Sequence, residues 1–173
     1  MKKKIPFIII GAVVLLALLG FGYVKLLQMF GNANDDGNKV TLNEMTLILP
    51  DEYEETSVPD RDFTYSNGTF VISGNAFNTN YFMERGTTVE TKEDFAKFIM
   101  DMNPEYNFGK IKKESDYLYF AFEGLSNNKS YSKIAGVFEH NNIFYFIQLE
   151  CYTSSEYLLE DEFKLIVDTV EFE

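Results

Sequence analysis

The sequence predicts an α+β protein, in which an antiparallel β-sheet flanked by helices is preceded by one N-terminal transmembrane helix. Three observations indicate this class. Residues 5–24 are twenty uncharged residues that follow three lysines. From position 40 onward, short runs rich in β-branched and aromatic residues alternate with turn residues, as strands and hairpins do. Two later segments carry apolar residues at helical spacing.

The apolar stretch has the length and the flanking charge of a membrane span. A helix of twenty residues is about 30 Å long, which matches the hydrocarbon thickness of a bilayer. The lysines place the N-terminus in the cytoplasm, because positive residues stay on that side. We therefore expect four parts: a cytoplasmic basic N-terminus (1–4), a transmembrane signal-anchor helix (5–30), a flexible linker (31–38) and an extracytoplasmic α+β domain (39–173).

A cleaved secretory signal is the alternative interpretation of this stretch. Such a signal has an apolar core of about 7 to 15 residues and a small-x-small exit. The core here is longer, although Gly31-Asn32-Ala33 offers a weak cleavage site. The length therefore favours an uncleaved anchor, and cleavage near Ala33 stays open as the alternative.

The part of the chain after residue 30 is strongly acidic. It contains all 27 acidic residues and 11 of the 15 basic ones, a net charge of −16. This charge argues against binding to nucleic acid or to anionic lipid headgroups, because both reward clustered Lys and Arg. A solvated acidic surface is the simplest interpretation, and binding of a cation or a basic partner is the alternative.

The first strands after the linker form a predicted β-hairpin. Two runs, 40–42 and 45–49, flank the tight turn Asn43-Glu44, and Pro50 ends the second run because it cannot donate to a strand ladder. The loop from Asp51 to Asp62 contains six acidic residues. We interpret it as a flexible, solvated loop, with weak divalent-cation binding as the alternative.

A second hairpin is predicted over residues 63–72. Its turn is Asn67-Gly68, a pair that readily supplies the positive φ values of a type I′ turn. Later strands are predicted at 110–113, 117–122, 131–138 and 143–152, with a closing strand at 170–172 and turns at Ser115-Asp116, Asn127-Asn128 and His140-Asn141-Asn142.

Two helices are predicted from capping patterns and apolar stripes. Thr91 followed by Asp94 has the pattern of an N-cap, and Asn103-Pro104 ends this helix. Thr153 followed by Glu156 has the same pattern at the start of a C-terminal helix. We expect both stripes to be core: Phe95, Phe98, Ile99 and Met102 in the first helix, and Leu159, Phe163, Ile166 and Val167 in the second.

Both faces of the predicted strand 143–152 carry large apolar residues. They occupy the odd positions and two even ones: Ile143, Tyr145, Ile147, Leu149, Cys151, Phe144 and Phe146. A sheet with one face in water shows cleaner alternation. We therefore expect helices on both sides of the sheet, with an aromatic binding surface on one side as the alternative.

Cys151 and His140 are the only cysteine and the only histidine. Eight strand steps from Ile143 to Cys151 place them roughly 25 Å apart, which excludes a Cys–His dyad. We expect His140 to be a turn residue and Cys151 a small core residue. A single cysteine also excludes an intrachain disulfide, so stability must come from packing.

Neighbouring carboxylates are the remaining candidates for chemistry. Asp51 with Glu52, and Glu160 with Asp161 and Glu162, have the residue types for acid–base work. Adjacent acids are common in so acidic a chain, however, and the sequence contains no nucleophile elbow, Walker loop, dinucleotide fingerprint or zinc-protease motif. We assign no catalytic, cofactor-binding or metal-ligating residue from the sequence.

The order of these elements resembles the Mog1/PsbP-like fold, which is also seen in bacterial DcrB-like exported proteins. The resemblance rests on the hairpin ending in Leu49-Pro50, the later amphipathic helix, and the strand–helix–strand ending from Phe144 to Phe172. It covers residues 39–173 and implies an antiparallel sheet flanked by helices in an accessory, assembly or binding protein. It transfers no functional residue, because there is no site motif to match.

These observations together favour a non-catalytic extracytoplasmic binding or accessory module of a Gram-positive-type envelope. One spanning helix would tether it to the cytoplasmic membrane, and its partner would be a protein or an envelope ligand. The alternative is a membrane-tethered, carboxylate-dependent hydrolase acting on envelope glycans. A pilin-like subunit is a third class, but the usual Gly-Phe processing site is absent and Pro6 follows Ile5 instead.

Overall fold

The structure is a computed structural model that describes residues 37–126 and 129–173. The predicted basic N-terminus, the predicted span, nearly all of the predicted linker and the turn Asn127-Asn128 lie outside the described residues. A compact unit begins at Asn38, which is the last residue of the predicted linker and the first of a strand. Among the described residues, no helix is long and apolar enough to cross a bilayer.

The described residues form two antiparallel sheets and a few helices. The strands are β1 (Asn38–Leu42), β2 (Met45–Leu49), β3 (Glu54–Glu55), β4 (Phe63–Ser66), β5 (Phe70–Asn78), β6 (Asn107–Phe108), β7 (Lys112–Lys113), β8 (Leu118–Ser126), β9 (Lys129–His140), β10 (Ile143–Tyr152) and β11 (Glu171–Phe172). The helices are α1 (Thr79–Met83), α2 (Lys92–Met102) and α3 (Leu159–Val167), with a 3₁₀ turn at Thr153–Leu158. The predicted α+β class is confirmed.

The larger sheet has the strand order β3-β4-β5-β10-β9-β8-β6, and β7 also pairs with β8. The smaller sheet has the order β1-β2-β11. The predicted closing strand therefore exists as β11, but it pairs with β2 and not with the larger sheet. Part of the predicted acidic loop is also ordered, because Glu54–Glu55 pairs with β4.

One face of the larger sheet is covered by α3 and by the smaller sheet. Tyr145, Ile147 and Leu149 of β10 lie in one core with Phe163 and Ile166 of α3. All four predicted stripe residues of this helix are buried. The stripe forms because positions three and four apart share one face of an α-helix.

The opposite face is covered by α1 and α2. Phe144 of β10 and Phe120 of β8 lie in a second core with Phe82 of α1 and Phe95 of α2. The prediction of helices on both sides of the sheet is therefore confirmed. The helix α1 was not predicted, because five residues are too short to show a helical period; its N-cap is the side chain of Asn78.

The capping predictions have opposite outcomes at the two longer helices. Thr91 and Asp94 form a reciprocal capping box at α2, as predicted. Thr153 caps nothing, because the 3₁₀ turn intervenes and α3 begins at Leu159 without a side-chain cap. The expectation that Met102 is core is also wrong, since this last residue of α2 is 61% exposed.

The hairpin turns differ from the prediction in one place. At the β4–β5 turn only Gly68 has a positive φ, and the Asn67 side chain accepts from the backbone N–H groups of Thr69 and Phe70. Three residues, Asn67 to Thr69, separate β4 from β5, and they do not form the predicted two-residue type I′ turn. The I′ signature of two positive φ values occurs instead at Asn141-Asn142, between β9 and β10.

Candidate functional site

A cleft of about 660 Å³ opens at one end of the larger sheet. Its walls are the turn before β8, the end of β9, the C-terminal end of α3, and β11. This volume lies within the range of about 300 to 1,000 Å³ that small ligands or side chains of a partner occupy. The four segments meet here because β11 turns back onto β2 directly after α3 has crossed the sheet.

The floor of the cleft is aromatic. The ring centroids of Tyr117 and Phe138 are 5.1 Å apart in a stacked arrangement, and the His140 ring stacks on Phe172 at 4.8 Å. Phe138 and Phe172 are 6.2 Å apart, so the two pairs are in contact with each other. The rings beneath the cleft therefore form one packed cluster, in which Tyr117 and Phe138 are only 6% and 2% exposed.

The rim of the cleft is charged, and carboxylates outnumber cations. Five acidic residues and two lysines line it, a formal charge of −3 with the histidine neutral. Lys164 lies 3.6 Å from Glu114 and 3.8 Å from Glu160, while Lys92 donates to the main-chain carbonyl of Asp116 at 2.8 Å. Both lysines are thus already engaged by acceptors of this chain.

The hydroxyl of Tyr117 is the distinctive polar group of the cleft. Tyr117 is only 6% exposed, and its hydroxyl makes no hydrogen bond to any residue that the structure describes. Burial raises the pKa of this hydroxyl to about 12, and the negative charges of Asp168 and Glu114 add to the effect. The hydroxyl is not among the buried polar atoms that lack a partner in the described residues, so it is open to the cleft and can both donate and accept there.

The two residues singled out as unique in the sequence lie at opposite ends of the β9–β10 pair. His140 pairs with Ile143 beside the cleft, whereas Cys151 pairs with Ser132 at the far end. His140 is the last residue of β9 rather than a residue of the turn itself. Cys151 is buried in the core as predicted, and burial raises the pKa of its thiol, which keeps it protonated and inert.

The neighbouring acidic side chains of α3, which the sequence offered as a candidate for acid–base chemistry, do not point to one place. Glu160 accepts from Lys112 and from the Tyr119 hydroxyl, each at 2.9 Å, whereas Glu162 accepts from the Tyr53 hydroxyl at 2.8 Å. Residues two apart on a helix face different directions. Hydrogen bonding by Lys112 lowers the pKa of Glu160, and burial raises that of Glu162.

No group of three or more His, Cys, Asp or Glu side chains is placed to hold a metal ion among residues 37–126 and 129–173. The acidic residues from Asp51 to Asp62 fall into β3 and exposed segments around it. They therefore offer no preformed set of cation ligands.

The opposite pKa shifts on α3 predict a pH-dependent effect of Glu162→Gln. The pKa of Glu162 in the folded protein lies above its ordinary value of 4.5. Ionisation of this buried carboxyl therefore lowers the free energy of unfolding as the pH rises above 4.5. Glutamine keeps an acceptor for Tyr53 and removes the charge. We expect the urea midpoint of the variant, relative to the parent chain, to increase from pH 4.5 to pH 8.

Glu160→Gln is the matched control for that measurement. The folded pKa of Glu160 lies below 4.5, so its stabilising contribution is present above that pH and is lost as the pH falls. This variant should therefore lose stability relative to the parent chain as the pH rises. A pH-independent difference for Glu162→Gln would contradict the proposed burial of its charge.

Most of the cleft residues were missed by the sequence analysis. Of the residues that line the cleft, the sequence analysis considered only His140 for chemistry. Tyr117, Phe138, Asp168 and Phe172 come from four separate segments, and none belongs to a motif. The only local signal was the presence of aromatic residues close to strand ends, which a buried core produces as well.

The two antiparallel sheets, with helices on both faces of the larger one, have a PsbP-like fold, as the resemblance in element order implied. The chain is similar to the solution structure of cyanobacterial PsbP (CyanoP) from Synechocystis, with a TM-score of 0.55 and 9% identity over 79% of this chain and 92% of that one. A crystal structure from Bacteroides thetaiotaomicron is similar with a TM-score of 0.51 and 15% identity over 79% of this chain. The chain spans 48% of the length of that protein.

A third structure, LpqN from Mycobacterium tuberculosis, which is involved in cell envelope biogenesis, has a TM-score of 0.46, too low to support an argument about this chain. It is 10% identical over 80% of this chain and 86% of that one. No protein-family model and no curated protein sequence matches the chain significantly. At these identities the similarities show the fold alone.

Proposed function

We propose that this chain is a non-catalytic binding or accessory module, held at the cytoplasmic membrane by residues 5–30 with residues 39–173 on the outer side. The observation that carries the binding function is the open cleft of about 660 Å³ with its charged rim. A concave site of this size with a few placed polar groups is the usual form of a ligand site. Tyr117 supplies one such polar group, since its hydroxyl has no hydrogen-bond partner among the described residues.

The arrangement of reactive side chains supports a non-catalytic role. His140 and Cys151 lie at opposite ends of the sheet, and Glu160 and Glu162 have partners on different elements. An acid–base mechanism needs its groups within hydrogen-bond reach of one reacting atom. None of these pairs meets that requirement.

The orientation in the membrane is testable with fusions at the C-terminus of the full chain. Alkaline phosphatase is active only outside the cytoplasm, and green fluorescent protein exported by the general secretion route is dark. We expect an active phosphatase fusion and a dark fluorescent fusion. A fluorescent, phosphatase-inactive pair would contradict the outward orientation.

The binding function is testable by photo-crosslinking in intact cells. A photo-reactive amino acid in place of Glu171 lies on the rim of the cleft. The same amino acid in place of Tyr157, which is exposed in the 3₁₀ turn before α3, is the matched control. A discrete adduct at position 171 and none at 157 is expected. Equal or absent adducts at both positions would count against the cleft as the binding site.

A second candidate function is the carboxylate-dependent hydrolase acting on envelope glycans. It is favoured by Glu162, whose pKa is raised by burial and further by the negative charge of Glu52, as in a general acid. The Tyr53 hydroxyl, however, already donates to this carboxylate. Glycan turnover by the full chain that disappears in Glu162→Gln would establish this function, and an inactive folded chain would exclude it.

A further inference from the structure

We infer that one end of the domain rests in the headgroup region of a lipid bilayer, through exposed aromatic and aliphatic side chains. The inference rests on the proposed membrane tether and adds the surface that faces the membrane. Two independent features support it: the composition of this end and the place where the chain enters the domain. We call this surface the tip, and it consists of Leu125, Tyr131, Tyr152, Tyr157 and Leu158.

The tip contains the most exposed large apolar residues of the part of the chain that the structure describes. Tyr157 is 79% exposed and Leu125 is 78% exposed, and Tyr152 and Leu158 are exposed as well. The remaining exposed large hydrophobic residues lie singly on other segments. Single exposed apolar residues are ordinary on a protein surface, whereas a group of them marks a surface of contact.

The strand register brings these residues to one end of the larger sheet. Leu125 of β8 lies opposite Ser130 of β9, and the next residue, Tyr131, lies opposite Tyr152 of β10. The 3₁₀ turn, which carries the other two tip residues, begins directly after β10. Neighbouring residues of a strand point to opposite faces, so the tip wraps around the end of the sheet.

The side chains of the tip are of the kinds that favour a membrane interface. Tyr131 and Tyr152 are stacked with their ring centroids 4.9 Å apart, and the ammonium group of Lys129 lies 5.2 Å from the Tyr152 ring. Tyrosine rings lie at the level of the headgroups, where the ring is apolar and the hydroxyl is hydrated. A lysine beside them can extend its ammonium group into the same layer.

Acidic residues close to the tip restrict the kind of bilayer that it suits. Glu156 lies in the 3₁₀ turn, and Glu160 and Asp161 follow in the first turn of α3. These carboxylates would be repelled by anionic lipids and are costly to bury in hydrocarbon. The tip therefore suits the headgroup region of neutral lipids, where the contact depends on apolar area and not on charge.

The chain enters the domain at the same end. Glu44, in the turn after β1, accepts from Asn141 at 2.7 Å, so β1 ends beside the β9–β10 turn at the cleft. Asn38, at the start of β1, donates to the main-chain carbonyl of Tyr53 at 2.7 Å. The Tyr53 hydroxyl donates to Glu162 in the first turn of α3, directly after the 3₁₀ turn. Asn38 therefore lies towards the tip.

A short connection to the proposed span would keep the tip near the bilayer. Residues 31–37 separate that span from Asn38, and seven residues reach at most about 25 Å when fully extended. A surface tethered by a short linker meets its partner at a millimolar effective concentration, so the weak affinity of a few side chains is sufficient. The cleft, at the opposite end of β9 and β10, would then face away from the membrane and be open to a partner.

The test places one tryptophan in the full chain, which contains none of its own. Tyr157→Trp reports on the tip. The matched control is Met83→Trp, at a position that is 62% exposed in α1, directly after the end of β5 that pairs with the cleft end of β10. Each variant is reconstituted in phosphatidylcholine vesicles whose acyl chains carry bromine near the headgroups, and flotation on a density gradient shows whether the chain is inserted. Bromine quenches a tryptophan only on contact, so we expect quenched, blue-shifted emission from position 157 and neither change at position 83.

Two further substitutions test whether the tip itself holds this position. Leu125→Ser with Tyr152→Ser, added to Tyr157→Trp, should remove about half or more of the quenching, because interfacial binding scales with the buried apolar area. The matched control pair is Met102→Ser with Ile111→Ser, at exposed positions outside the tip, and it should leave the quenching unchanged. Replacing part of the phosphatidylcholine by phosphatidylglycerol should not increase the quenching, because the tip is flanked by carboxylates.

The outcomes separate the tip from the tether. A chain that does not float with the vesicles overturns the membrane tether and this inference with it. A chain that floats overturns the tip alone if positions 157 and 83 are quenched equally, or if the Leu125 and Tyr152 substitutions have no effect. Quenching that changes as the chain is diluted with lipid assigns the surface to a second copy and also overturns the inference. Lipid contact at position 157 leaves no discrete protein adduct, so the crosslinking control at that position keeps its meaning.

Discussion

Phe163→Ala is expected to lower the free energy of unfolding by about 3–5 kcal/mol. The Phe163 side chain is completely buried on α3 and rests on the backbone of Gly136 in β9. A Cβ atom at Gly136 would lie only 2.9 Å from its ring, so the helix and sheet are in close contact there. Truncation removes the transfer free energy of the ring and leaves a cavity that the stiff sheet beneath cannot collapse to fill.

The measurement is urea unfolding of the full chain in mild detergent, followed by near-ultraviolet circular dichroism of the tyrosines. Tyr157→Ala is the matched control, because Tyr157 is an aromatic residue shortly before the same helix and is 79% exposed. It should change stability by less than about 0.5 kcal/mol. A similar loss in both variants would show that α3 is not packed on the sheet as described.

Phe82→Ala is expected to cost a comparable amount, about 3–5 kcal/mol, on the other side of the sheet. Phe82 belongs to the short helix α1 and is 1% exposed. Its ring meets Phe95, Phe98 and Phe144 edge-on at centroid distances of 5.3–5.6 Å. Such edge-to-face pairs contribute beyond the buried area, so one truncation weakens contacts with β10 and with α2 together.

Met83→Ala provides the control for this second truncation. Met83 is the next residue of α1 and is 62% exposed. The same urea titration should therefore place Met83→Ala within about 0.5 kcal/mol of the parent chain. If Phe82→Ala were equally mild, α1 would be a marginal surface turn and not part of the second core.

The elements that the sequence predicted well are those with a local signal. The hairpin around Asn43-Glu44 and the helix that begins after Thr91 depend on residues within a few positions of each other, and both are present. The stripe of α3 was likewise predicted, although the cap assigned to Thr153 was wrong. Capping patterns are short, so chance matches such as Thr153 with Glu156 occur where a 3₁₀ turn is more stable.

The features that escaped prediction depend on partners far away in the chain. β11 could have joined either sheet, and its pairing with β2 was decided by where α3 ends. Asn67 has the residue type for a type I′ turn, but its side chain instead accepts two backbone N–H groups. In both cases several local structures have similar energies, and packing or side-chain hydrogen bonding selects among them.

The sequence by itself determined the α+β class and showed that both faces of the sheet must pack against other elements. It also determined the separation of the only cysteine from the only histidine and the charge of −16 after residue 30. These follow from periodicity and composition, which act over a few residues or over the whole chain. Only the tertiary structure decided that Tyr117, Phe138 and Phe172 meet beside Asp168 in one cleft. That meeting depends on strand register and helix docking, which no local pattern encodes.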